Sequence, residues 1–175
     1  METISINRAP LLTLWAAVVA ERLGFRKDEA LSLGKALAGL NAQAKGRRLG
    51  IFKLHEEKPT KARRKEHGQE FFVELCGRPV PVRNTADGIR AMKGSQIIRP
   101  DSAERYLEDK FGADLKKVRA AMQQLAKSYS PQELAGHAYS LYEKFRPSTP
   151  AGVKGWGAKG KLELEVIDHL VNRDT

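Results

Sequence analysis

The fold is decided by the stretch PLLTLWAAVVAERLG, residues 10–24. Its apolar side chains recur at the intervals of a helix, Pro10 suits an early helical position, and Gly24 can end the helix. The following stretch, DEALSLGKALAGLNAQAK (residues 28–45), predicts a second helix that Asp28 can cap. We therefore expect an α-hairpin over residues 1–50.

Two glycines lie inside the second predicted helix. Glycine in a helix interior costs about 1 kcal/mol relative to alanine, so Gly34 and Gly39 need a compensating gain. The gain we expect is close approach of a neighbouring helix backbone. A helix-turn-helix reading head is less well supported, because Asp28 and Glu29 would bring acidic groups towards phosphate. We interpret the helix pair as core, or as the interface of a homo-oligomer.

Outward from the hairpin, the pattern becomes mixed. Residues 51–69 are polar and predict a basic loop or linker. Phe71–Leu75 and Val80–Val82 flank a turn and predict one short β-hairpin, whose two prolines confine the return strand to an edge. A short helical turn is expected from Thr85 or Asn84 through Met92.

Helical patterns dominate the rest of residues 70–175. Capping boxes are predicted at Asp101 with Glu104 and at Ser130 with Glu133. A Gly/Pro-rich loop over residues 147–160 leads to a terminal helix. The predicted fold is mainly α, with about six helices in a compact bundle and one short β-hairpin, and residues 70–175 share one core with the N-terminal part.

Bulk composition indicates a cytoplasmic globular protein. The chain has 175 residues, 41% of them apolar and 30% charged. Its long apolar run, Leu11–Ala20, is half of the roughly 20 residues that a membrane span needs. The single cysteine, Cys76, excludes an internal disulfide and a multi-cysteine metal site, and we expect a buried, inert thiol.

Positive charge is concentrated in one stretch. Residues 45–65 hold nine basic and two acidic side chains, so they carry +7 of the chain's net charge of +10. A localised positive field favours a polyanionic partner. We predict phosphate contacts from the following residues: Lys45, Arg47, Arg48, Lys53, Lys61, Arg63, Arg64 and Lys65.

The type of nucleic acid follows from what this stretch lacks. Its one aromatic residue is Phe52, with Phe71 and Phe72 just beyond the stretch, whereas interleaved aromatic residues are the mark of single-strand platforms. The stretch therefore favours duplex DNA or a structured RNA, contacted without sequence specificity. The alternative for the stretch is a solvated loop whose charge only aids solubility. A membrane partner is not expected, because the stretch has no amphipathic apolar face.

A glycine-rich string near the C-terminus, GWGAKG (residues 155–160), matches the dinucleotide pattern G-x-G-x-x-G. That pattern requires a strand before it and a helix N-terminus behind it, whereas the preceding residues are Pro147-Ser148-Thr149-Pro150. We interpret the string as a turn. A weaker reading makes Lys154, Lys159 and Lys161 a second phosphate-contacting loop.

No motif in the chain names a reaction. The four histidines have no metal-ligand spacing, and no hydrolase signature is present, so we assign no catalytic residue, metal or cofactor. The competing function is a protein-interaction or regulatory module without catalysis. In that reading the small-residue helix face or the hairpin edge meets a protein, and the basic loop meets an acidic partner.

The strings LNAQAKGRRLG (residues 40–50) and GWGAKG (residues 155–160) resemble segments of bacterial proteins that have no assigned activity. The resemblance implies no function and transfers no site residue to this chain.

Overall fold

The computed structural model describes residues 3–48, 70–93, 96–147 and 159–171. The predicted basic loop, residues 51–69, and most of the Gly/Pro-rich loop, residues 148–158, lie outside these ranges. The elements in chain order are β1 (Thr3–Asn7), α1 (Arg8–Arg22), α2 (Lys27–Arg48), β2 (Glu70–Leu75), β3 (Arg78–Thr85), β4 (Gly88–Lys93), β5 (Gln96–Ile97), α3 (Pro100–Phe111), α4 (Leu115–Lys127), α5 (Pro131–Phe145), β6 (Lys159–Glu163) and α6 (Leu164–Val171).

Helix α1 is the centre of the molecule. The predicted hairpin of α1 and α2 is confirmed, but α1 is buried all round from Pro10 to Ala20 instead of on one face. Its polar groups are satisfied inside the core: Thr13 Oγ1 donates to the Ala9 carbonyl, and Trp15 Nε1 donates to the Ala138 carbonyl at 2.9 Å. A helix hydrophobic on every side must be covered on every side, and α2, α4, α5 and α3 all contact it.

The predicted helical bundle with a single hairpin is wrong, because the described residues form two sheets. β1 and β6 pair as an antiparallel two-stranded sheet, with Ile4 opposite Leu162. β2, β3, β4 and β5 form a four-stranded sheet in that order. The alternation in TISIN (residues 3–7) is a period-2 signal for β1. It goes unnoticed beside the much stronger helical signal that follows.

The expected helical turn through Met92 is also wrong, since β4 occupies this region. The two turn residues are Ala86 and Asp87, and the next residue, Gly88, adopts φ +119°, which favours glycine. Thr85 secures the turn from its Oγ1, which donates to the Gly88 carbonyl at 2.7 Å and accepts the Asp87 amide at 3.2 Å. The chain therefore returns as a strand that pairs with β3.

The predicted hairpin of β2 and β3 is confirmed, with a turn at Cys76-Gly77. Both turn residues have positive φ, 49° and 79°, as the common two-residue hairpin turn requires. Pro79 and Pro81 fall where β3 pairs with β2 alone, because pairing with β4 begins at Val82. A missing amide costs nothing where no neighbouring strand is paired, so both prolines lie in the part of β3 that has no register with β4.

Of the two capping boxes predicted in the C-terminal half, one is confirmed and one is wrong. The box at Ser130 and Glu133 is present in both directions, and α5 buries the predicted residues from Leu134 to Phe145. The box at Asp101 and Glu104 is absent: Asp101 accepts from the guanidinium of Arg99, and Glu104 pairs with Arg119. The terminal helix begins later than predicted, at Leu164, because Lys159–Glu163 is a strand.

One hydrophobic cluster joins the two ends of the chain. It extends from Ile4 and Ile6 on β1 through α1 and the sheet to Leu162 and Ile167. Cys76 is part of it, as expected, and burial raises the pKa of its thiol to about 12. None of the helices in the described ranges combines the length and the apolarity that a membrane crossing demands.

Candidate functional site

A cleft of about 740 Å³ separates α2 from the four-stranded sheet. Its walls come from the first turns of α1, the middle of α2, strands β3 to β5 and the first turns of α3. A volume of this size is in the range of ligand-binding clefts. Because four separate parts of the chain form its walls, the cleft is absent from any local sequence pattern.

Small residues of α2 keep the cleft open. Ala36, Ala38 and Gly39 line it, and a Cβ added at Gly39 would meet no atom within 4 Å. The expectation of a close helix approach is therefore wrong for Gly39. It is confirmed for Gly34, where an added Cβ would lie 2.5 Å from the Thr13 carbonyl oxygen of α1. The two glycines have different uses: one admits the neighbouring helix, and the other leaves space.

Side chains on the first half of α2 hold it against the edge of β4. Glu29 Oε2 accepts the Ile89 amide at 3.0 Å. Ser32 Oγ accepts the Ala91 amide at 2.8 Å and donates to the Ile98 carbonyl at 2.7 Å. An uncovered strand edge would leave these amides available to another chain. The helix thus covers the edge of β4 and fixes one wall of the cleft.

A charged cluster anchors the start of α2 to the same hairpin. The guanidinium of Arg90, whose side chain is only 8% exposed, pairs with Asp28 at 3.0 Å. Asp28 also accepts from Arg26, which in turn reaches the Asp87 carbonyl. Arg26 first, and Arg90 after it, hold the pKa of the Asp28 carboxyl below its usual range. Glu29 also acts on Arg26, so the two guanidinium groups of this cluster are matched by two carboxylates.

Two lysines line the cleft. Lys35 of α2 is partly buried, and its Nζ lies 4.4 Å from the ring centre of Tyr106 on α3, a cation–π distance. Burial first, and repulsion from Lys93 of β4 second, lower the pKa of the Lys35 ammonium. Among the residues that the structure describes, no carboxylate forms an ion pair with either lysine.

The rest of the lining adds no negative charge. None of the described residues lining the cleft is Asp or Glu. Arg99 stands at the rim, but its guanidinium is held by Asp101 at 3.1 Å, so Lys35 and Lys93 carry the field. Two like charges held together without a counter-charge favour an anion between them. The cleft is therefore a candidate anion site.

The structure places only part of the predicted basic set. Lys45, Arg47 and Arg48 lie on the last turns of α2, whereas Lys53, Lys61, Arg63, Arg64, Lys65 and Lys154 lie outside the described residues. Lys159 and Lys161 lie on β6, where Lys161 is exposed. The described chain runs through Gly160 as a strand paired with β1. Helix α6 begins only at Leu164.

Sequence reasoning missed Lys35, Lys93 and Tyr106. Each is a single residue in an ordinary helix or strand, and no spacing links them. The available signal was the row of small residues around Lys35 on α2, which we assigned to helix packing or to a protein interface.

No family model, curated protein or solved structure matches this chain, so its function is argued from its own residues.

Proposed function

We propose that this protein binds nucleic acid through phosphate contacts. The observation that carries the proposal is the cleft in which Lys35 and Lys93 face each other with no carboxylate among the described lining residues. A phosphate between the two ammonium groups would remove their repulsion and gain charge-assisted hydrogen bonds. Lysine is a standard phosphate ligand of this kind.

Helix α2 connects this cleft to the basic stretch of residues 45–65. The antiparallel helices meet at Thr13 and Gly34, so residue 39 is level with Arg8, the first residue of α1. Residues 40–48 of α2 therefore extend about 13 Å past the start of α1, at about 1.5 Å per residue. The backbone of Lys45, Arg47 and Arg48 lies on this extension. One polyanion can follow the helix from the cleft to the basic stretch.

Binding of this kind has a characteristic salt dependence. Five or six phosphate contacts release as many counterions, and the logarithm of affinity should fall against the logarithm of salt concentration with a slope of about −5. Fluorescence anisotropy of a labelled oligonucleotide, titrated at a series of KCl concentrations, measures this slope. Undetectable binding at low salt, or affinity independent of salt, would contradict the proposal.

Charge removal tests where the contacts lie. Lys35→Ala/Lys93→Ala should reduce the magnitude of the slope by about 2, since each lost phosphate contact removes roughly one counterion. Arg63→Ala/Arg64→Ala/Lys65→Ala should weaken binding about equally for all sequences. The matched control is Lys116→Ala/Lys144→Ala, which removes two exposed lysines on α4 and α5. Equal losses in the control would show that only net charge matters.

An acidic protein partner is the alternative outcome. Polyglutamate presents the same sign of charge without phosphate, so it is the appropriate competitor. If it displaces the oligonucleotide at an equal concentration of charge, the site is a general polyanion surface and the proposed function is wrong.

A further inference from the structure

An apolar row crosses one face of the four-stranded sheet beside the lysines. Phe72 lies opposite Pro81, and Met92 lies opposite Ile97. Pro81 of β3 and Met92 of β4 lie one residue beyond the last paired residues, Val82 and Ala91, and both line the cleft. Residues directly opposite in a sheet share a face, so the four side chains form one continuous row.

The two ends of this row are the exposed large hydrophobic side chains of the described surface. Phe72 is 44% exposed and Ile97 is 41% exposed. Pro81, Met92 and Ile97 line the cleft, and Phe72 continues the row onto the outer strand β2. An exposed aromatic ring that continues a cationic cleft is the arrangement on which an unpaired base stacks.

We propose that the cleft and the row bind an unpaired stretch of single-stranded nucleic acid, with phosphate at Lys35 and Lys93 and a base stacked on Phe72. This inference rests on the proposed function and specifies its ligand. The sequence favoured a duplex because the basic stretch has one aromatic residue. Phe72 lies just beyond that stretch in the sequence, and the structure shows it as an exposed aromatic ring on the sheet.

Dimensions support a strand over a duplex or a free nucleotide. The row spans three interstrand spacings of about 4.8 Å, roughly 14 Å in all. That length exceeds the reach of one nucleotide, so the base on Phe72 and the phosphate at the lysines belong to different nucleotides of one chain. In a duplex, base faces are stacked on one another, and only base edges are open to a protein.

The ring of Tyr106 has a different role from the ring of Phe72. Lys35 Nζ and Lys110 Nζ lie 4.4 Å and 5.9 Å from its ring centre, so the ring faces cations and is less open to a base. Burial raises the pKa of its hydroxyl, which keeps it neutral. Tyr106 is a positioning residue for Lys35.

The test compares two substitutions at one exposed site. Phe72→Tyr keeps the ring, whereas Phe72→Leu keeps an apolar side chain of similar length without a stacking face. Binding of a labelled mixed-sequence single strand and of a hairpin duplex is measured in one buffer by anisotropy. We expect the single strand to bind more tightly than the duplex. Phe72→Leu should weaken it about tenfold, and Phe72→Tyr should retain it.

The remaining outcomes separate this inference from the proposed function. If both ligands bind with steep salt dependence but Phe72→Leu changes neither, the stacking site is wrong while phosphate binding stands. If neither ligand binds at low salt, both proposals fail. If adenosine monophosphate displaces the single strand at an equal concentration of nucleotides, the cleft holds a free nucleotide. The proposal of a single-stranded ligand is then wrong.

Circular dichroism of both variants checks that they are folded, and a Phe72→Trp variant adds a second readout. Base stacking on the introduced indole should quench its fluorescence on addition of the single strand, beyond any change seen in the parent protein. Emission that changes no more than the parent's at saturating strand would overturn the stacking contact independently of any affinity.

Discussion

At the scale of single residues, Lys35 combines two opposing influences. Burial and Lys93 disfavour its charged form, and the face of the Tyr106 ring favours it. Burial first, and Lys93 second, lower the pKa of the ammonium. Within the described part of the chain Lys35 has no carboxylate partner, and a partly buried lysine in that position destabilises the free protein. A bound phosphate would remove that cost. The residue is better explained by an anionic ligand than by stability.

The pH dependence of binding follows from this position. Lys35 loses its proton at a lower pH than an ordinary lysine of pKa 10.5, and only the charged form attracts phosphate. Affinity should therefore fall as pH rises through the lowered pKa, before exposed lysines titrate. Lys35→Arg, which stays charged, should remove this early fall. Anisotropy titrations between neutral and alkaline pH measure it, and identical profiles for the two proteins would contradict it.

At the scale of elements, the two halves of α2 have different surroundings. Its first half is bound on both sides, to α1 through the contact at Gly34 and to β4 through Glu29 and Ser32. Between Lys35 and Leu40 it lines the cleft, and beyond Leu40 it passes the start of α1. Glycine therefore allows close helix packing at Gly34 and leaves open space at Gly39.

The two glycines of α2 should respond oppositely to the same substitution. Gly34→Ala would force a Cβ to within 2.5 Å of a backbone oxygen and should destabilise by about 1–3 kcal/mol or more. Gly39→Ala meets open space and should stabilise by up to about 1 kcal/mol through helix propensity. Urea unfolding of the two variants measures both. Changes of the same sign would contradict the packing described for α2.

At the scale of the whole molecule, the two ends of the chain close one core. β1 pairs with β6, and Ile4, Ile6, Leu162 and Ile167 belong to the cluster that surrounds α1. A core shared in this way should unfold as a single cooperative unit. Damage at β1 should then lower the stability of the C-terminal helices as well.

A substitution on β1 tests this closure. Ile4 is buried, so Ile4→Ala should cost about 2–5 kcal/mol through lost burial and a cavity. Ser5 is the matched control on the opposite, exposed face, and Ser5→Ala should change stability by no more than about 0.5 kcal/mol. Urea curves followed by Trp15 fluorescence and by far-ultraviolet dichroism should shift together. A transition in the dichroism that does not shift for Ile4→Ala would show two independent units.

Prediction from sequence succeeded where the signal was local and strong. The Ser130–Glu133 box, which begins the helix at Pro131, was predicted residue by residue. It failed at β1, β4 and β6, whose short alternating patterns compete with longer helical ones. For the site, sequence located the charge at 45–65. The part of that stretch described here ends at Arg48, so its role stays a prediction.

The sequence by itself determined the α-hairpin, the helices of the C-terminal half, the buried thiol of Cys76 and the clustering of charge. Helical period and capping act between residues a few positions apart, so they can be read along the chain. Only the tertiary structure decided the β1–β6 pairing, the approach of Lys35 to Lys93 and Tyr106, and the row from Phe72 to Ile97. These neighbours come from separate elements, and folding around α1 is what brings them together.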